Sequence, residues 1–136
     1  MTAKEYLQQY RRQAERIRQI DIDIEKLRAE AESMSAGYTG MPRGTRISDK
    51  TGRLASRLAD LSIRKEQERE EAWKLREEIE AVIQAVRDPV QSRVLYDRYI
   101  MGMKWDDIAA EVGYDTKHVA GRIHGKALQE VAAILR

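Results

Sequence analysis

Two apolar series separated by a glycine-rich stretch constrain the fold of this chain more than any other feature. Between residues 3 and 34, Ala3, Tyr6, Tyr10, Gln13, Ile17, Ile20, Ile24, Leu27, Ala31 and Met34 recur at alternating steps of three and four, with Gln13 the one polar interruption. Between 54 and 86 the same steps give Leu54, Leu58, Leu61, Lys65, Glu68, Ala72, Leu75, Ile79, Val82 and Val86, polar only at Lys65 and Glu68. A repeat of this spacing lines one face of an α-helix and leaves a seam that a second helix must cover. The intervening residues 35–50 hold Gly37, Gly40, Pro42 and Gly44 among hydroxyl side chains, so the chain turns back there. Ser48 or Asp49 is the expected N-cap of the second helix. The result is an antiparallel coiled-coil hairpin over residues 1–87 with its loop near 35–51. Pairing positions that sum to 88 or 89 sets Met34 against Leu54, Leu27 against Leu61, Ile17 against Ala72 and Ala3 against Val86. Lys65 and Glu68 then face Ile24 and Ile20, a mismatch a lysine relieves by lifting its ammonium to solvent.

Composition supports an all-α fold. The chain has no phenylalanine, only two prolines and 35% charged residues, a balance that suits exposed helix and not a sheet-rich globule. With no cysteine there is no disulfide framework, thiolate metal site or thiol nucleophile, which fits a reducing compartment. The opening Met-Thr-Ala-Lys-Glu-Tyr lacks the apolar core of a signal peptide, and no run nears the roughly 18 apolar residues of a membrane span. A soluble, cytoplasmic protein without a membrane partner is expected. Leu7, Ile22, Ile63, Trp73 and Ile83 lie off the seam, where a two-helix hairpin cannot bury them. They point to a homodimer, two hairpins forming a four-helix bundle.

Residues 88–136 read as a trihelical helix-turn-helix unit. Asp88-Pro89 combines an N-cap with a proline at the first helical position, and Val90, Val94, Leu95 and Tyr99 form the buried stripe that follows. Gly102 closes that helix. Ile108, Ala109 and Val112 then line one face of a short helix that Gly113 stops, and Val119 or Ala120, Ile123 and Ala127 resume helical spacing after it. Two helices joined by a glycine turn can present the second to the DNA major groove.

That second helix should start at Asp115 or Thr116, either a competent cap. With its apolar residues inward, Thr116, Lys117, His118, Gly121, Arg122 and Lys126 are the candidate DNA-binding residues. Arg122 suits a bidentate guanine contact, and Lys117, His118 and Lys126 suit phosphates or base edges. Gly121 and Gly125 each cost about 1 kcal/mol of helix stability relative to alanine, so something must approach that backbone closely. The net charge of +2 is too small to indicate nucleic-acid binding alone, but from 116 to 126 the charges are all basic, while Asp106, Asp107 and Glu111 crowd the preceding helix. Arg43, Arg46 and Lys50 in the hairpin loop are further candidates for backbone contact.

Catalysis has no support. His118 and His124 are six apart and fall on different faces, so they are no metal pair, and Asp106-Asp107 and Glu70-Glu71 have no third group to position a substrate. Trp105 reads as a core or cap residue. No enzyme activity, metal or cofactor is expected.

Arg98-Tyr99-Ile100, Gly102, Trp105 to Ala109, Glu111 to Tyr114, Arg122, His124-Gly125 and Ala127-Leu128 together resemble a phage- and prophage-encoded family of small proteins with sigma factor region 4-like C-termini. The opening Met-Thr-Ala-Lys-Glu-Tyr-Leu and the charged hairpin resemble it too, so the likeness spans most of the chain. It implies kinship with phage late-gene transcription regulators, and with a sigma region that binds promoter minus-35 elements and the RNA polymerase flap. The chain departs from the family pattern by one additional residue between Asp115 and Arg122. The expected function is a transcription regulator that binds double-stranded DNA as a homodimer, with RNA polymerase as a second partner. The alternatives are a protein-interaction module that contacts polymerase without DNA, and a DNA-packaging component like a small terminase subunit.

Overall fold

Helix-forming residues run almost unbroken through both heptad series, and each series folds as one long helix: α1 (Ala3–Ala36) and α2 (Thr45–Gln84). The structure, a computed structural model, describes the backbone at residues 1–36 and 45–136 and the side chains at 1–34 and 49–136. The two helices pack as an antiparallel hairpin, and three shorter helical segments follow: α3 (Pro89–Tyr99), α4 (Trp105–Val112) and α5 (His124–Ile134). Helical backbone already begins at residue 116 ahead of α5, and it is π-helical over His118–Ile123. Among the described residues no helix is long and apolar enough to cross a membrane.

Every residue of the two predicted seams whose side chain is described is buried or half-buried. Helix α2 begins at Thr45, however, so Ser48 and Asp49, the expected N-caps, lie within its opening turns. Hydroxyl and acidic residues at 45–49 resemble a cap signal but are also tolerated within a first turn, where their position alone does not distinguish the two.

The chain divides into two compact units, residues 14–70 and residues 1–13 with 71–136. In the first, Ile20, Ile24 and Leu54 are the buried seam residues. Lys65 does not simply reach for solvent: its ammonium pairs with Asp21, one turn from the isoleucine it faces. A lysine in the seam is thereby tolerated through a partner at the seam's edge.

The second unit joins the base of the hairpin to the C-terminal helices. Leu7, Ile79, Ile83 and Val86 share one core with Leu95, Tyr99, Ile100, Ala127 and Val131. Leu7 and Ile83, expected at a dimer interface, are instead covered within the chain; burying side chains of this size contributes about 1.5–3 kcal/mol each. The compact unit therefore does not begin at residue 88, since α3 and α5 complete a core that the hairpin base starts. Trp73 (61% exposed) and Ile63 (60% exposed) remain uncovered.

The start of α3 follows its sequence signal. The Asp88 carboxylate accepts the Val90 and Gln91 N–H groups at 2.8 and 3.2 Å, and Pro89 opens the helix. A cap of this kind contributes about 1 kcal/mol. Ser92 Oγ donates to the Ile83 carbonyl at 3.0 Å, holding α3 to the end of α2.

Candidate nucleic-acid interface

Helix α4 and the π-helical stretch His118–Ile123 assemble with α3 on a second small core of Val94, Ile108, Ala109, Val119 and Ile123. Their geometry is that of a helix-turn-helix. Gly113 caps α4 in the left-handed region at φ 83°, which an L side chain adopts only at a cost, and its N–H bonds the Ala109 carbonyl. Two residues later Asp115 Oδ1 accepts the His118 N–H at 2.7 Å, the N-cap bond expected of it. Thr116 Oγ1 donates to Asp106 Oδ1 at 2.8 Å and ties the two helices across the turn. Thr116 thus serves to join α4 to the next helix, and it is only half-exposed.

The buried face of the last helix is Val119, Ile123, Ala127 and Val131, every fourth residue. In a pure α-helix this stripe would drift by about 40° per step, four residues at 100° each against a full turn. The π-helical stretch over His118–Ile123 is wider and takes back part of that drift, and the His124 N–H there bonds the Val119 carbonyl five residues back. The four core residues therefore stay on one face through the π-helical stretch.

On the opposite face Lys117, Gly121, Arg122 and Lys126 are exposed and His118 is half-exposed. Among the described residues none of the ion pairs includes Lys117, Arg122 or Lys126. By contrast, Arg93 is held by Glu111 and Asp97, and Arg76 by Glu80 at 2.8 Å. Tyr114, 49% exposed, lies against the His118 ring with centroids 5.2 Å apart. Among the described residues, a Cβ added at Gly121 or Gly125 would meet no atom within 4 Å beyond its own helix backbone, so packing does not require glycine at either position. His118, Arg122 and Lys126, one turn apart in sequence, form one wall of an open groove of about 340 Å³ whose other wall is the first turn of α3.

No family model, curated protein or solved structure matches the chain.

Sequence reasoning missed two buried polar clusters that position this face. His124 is buried at the start of α5, with its Nε2 2.6 Å from the Tyr99 hydroxyl and its ring edge-on to Trp105. Arg98 in turn lies over the Trp105 ring at 4.5 Å and donates to the Met103 carbonyl at 3.0 Å. Burial, and then the charges of Lys4 and Arg98 against the Ala120 backbone oxygen, lowers the His124 pKa to about 4, so the ring is neutral at pH 7. Spacing shows that His124 and His118 share no face but cannot show that a tyrosine 25 residues away meets one of them. The second cluster is Asp97, 1% exposed, 3.3 Å from Arg93, whose guanidinium also holds Glu111 on α4. Burial first and the Glu111 carboxylate next push Asp97 up to about 6, with Arg93 opposing.

Arg43 lies outside the described residues, as does the side chain of Arg46. Lys50 is exposed, its ammonium 4.0 Å from Glu30. Among the described residues no group of three or more histidines and carboxylates could hold a metal ion.

Proposed function

We propose that this protein is a DNA-binding transcription regulator of phage or prophage origin, reading duplex DNA with the helix that begins at residue 116. The observation that carries the reading is the division of that helix into two faces. One is buried through Val119, Ile123, Ala127 and Val131, and the other presents Lys117, Arg122 and Lys126 exposed and, among the described residues, without ion pairs. Free cations on the outer face of a second helix-turn-helix helix are what phosphate attraction and guanine recognition require. The resemblance to phage proteins with sigma region 4-like C-termini points the same way, and it suggests RNA polymerase as a second partner.

Three cations make a weak reader, and the exposed Trp73 supports a second copy that doubles the contacts through effective concentration. Site selection from random duplexes, repeated with Arg122→Ala, tests the reading. The wild type should enrich a motif, and the variant should lose preference at one guanine at a cost of about 1–3 kcal/mol. An absence of enrichment together with recovery of polymerase by Lys117→Ala and Arg122→Ala variants would identify a protein-binding module instead. A ring of many subunits in solution would identify a packaging component.

A further inference from the structure

We infer that the groove between the first turn of α3 and the last helix seats a phosphate of the DNA backbone, which brings α3 into the DNA footprint. The inference rests on the DNA-binding reading and extends it to residues outside the second helix: Gln91 and Tyr114. Both line the groove with His118, Arg122 and Lys126. Arg122 and Lys126 bring two permanent positive charges, without ion pairs among the described residues, one turn apart on the same wall. Tyr114 and Gln91 add a phenol and an amide, so four side chains around one opening can each donate a hydrogen bond.

Asp88 is the one carboxylate in the lining, and its Oδ1 accepts the Val90 and Gln91 N–H groups. The α3 terminus is therefore already satisfied by its own cap and is not the anion site; the anion is held by side chains. Two cations against one carboxylate leave the groove positive. A convergence of donors suits a phosphodiester, whose exposed oxygens only accept, and a base edge would call for a mixed pattern. Tyr114, braced by its ring contact with His118, is held in the wall before DNA arrives. The contact is independent of base sequence and sets how the helix sits over the groove of the duplex.

The test is the salt dependence of binding by the full chain to a mixed-sequence duplex of about 30 base pairs, between about 50 and 200 mM salt. Lys126→Ala should lower the slope of log K against log salt by about 0.9, the release of one counterion, equally on unrelated duplexes. Gln91→Ala and Tyr114→Phe keep the charge and the ring, and each should weaken binding by about threefold or more, the loss of one modest hydrogen bond. Lys74→Ala, which does not line the groove, is the reference for a lost surface charge. Circular dichroism and Tm establish that each variant folds. If the wild type binds DNA and Lys126→Ala shifts the slope no more than Lys74→Ala, while Gln91→Ala and Tyr114→Phe bind as the wild type does, the phosphate seat is wrong and the DNA reading stands. If the wild type binds no duplex, both are wrong.

Discussion

The Tyr99 hydroxyl and His124 Nε2 lie 2.6 Å apart, and this one hydrogen bond fastens α3 to the start of α5 inside the unit that carries the candidate reading face. The two rings also stack, with centroids 5.7 Å apart. Removing the hydroxyl leaves a buried imidazole nitrogen without its partner. Tyr99→Phe should therefore destabilise the protein by about 1–3 kcal/mol, measured as a shift in urea midpoint.

His124 and Asp97 bind protons in opposite senses on folding. His124 is lowered from 6.5 to about 4, so folding excludes its proton and stability is lost as pH falls from 6.5 towards 4. Asp97 is raised from 3.8 to about 6, so folding favours its proton and stability is gained as pH falls through 6 towards 3.8. The two contributions oppose each other across the same window, and urea midpoints of the wild type should change little between pH 6 and 5. In His124→Gln the compensation is lost, and stability should rise as pH falls over that range. In Asp97→Asn it should fall.

Gly102 sits at φ 71° with the Arg11 guanidinium occupying the space where a Cβ would project. Gly113 has the same left-handed backbone and nothing near it. Alanine at Gly113 should cost about 1–2 kcal/mol from backbone strain alone. At Gly102 the cost should be larger, because Arg11 must move as well. Combining Gly102→Ala with Arg11→Ala should return the glycine penalty to that of Gly113→Ala, which a double-mutant cycle on thermal stability will measure.

Gly121 is exposed, and an added Cβ meets nothing. Alanine there should raise stability by about 1 kcal/mol through helix propensity. If the bare backbone is kept for a partner's approach, the same substitution should weaken DNA binding. Opposite signs in a melting curve and a binding titration are the expected outcome.

The elements of the fold were legible where local chemistry decides them. The heptad steps located both long helices, Asp88-Pro89 marked the start of α3, and Gly113 with Asp115 marked the turn between α4 and the next helix. Leu7 and Ile83 show the limit: periodicity reveals that a residue must be covered, and tertiary packing decides by what. Here the cover is α3 and α5, not a second hairpin. Lys117, Arg122 and Lys126 were legible because a stripe at steps of four assigns the opposite face to solvent. His124 and Asp97 were not, since burial of a polar group depends on partners supplied by other helices, as Tyr99 and Trp105 do for His124. The π-helical turn was not legible, since a widened turn within a helical stripe shows only in the backbone.

The central claim is tested most directly by fluorescence anisotropy of labelled duplex DNA titrated with the full chain at about 50 and 200 mM salt. The account predicts saturable binding that weakens steeply with salt, and a clear loss of affinity when Lys117, Arg122 and Lys126 are replaced together by alanine in a variant that melts as the wild type does. Equal binding by the wild type and this triple variant, or no binding by either at the lower salt, would contradict it.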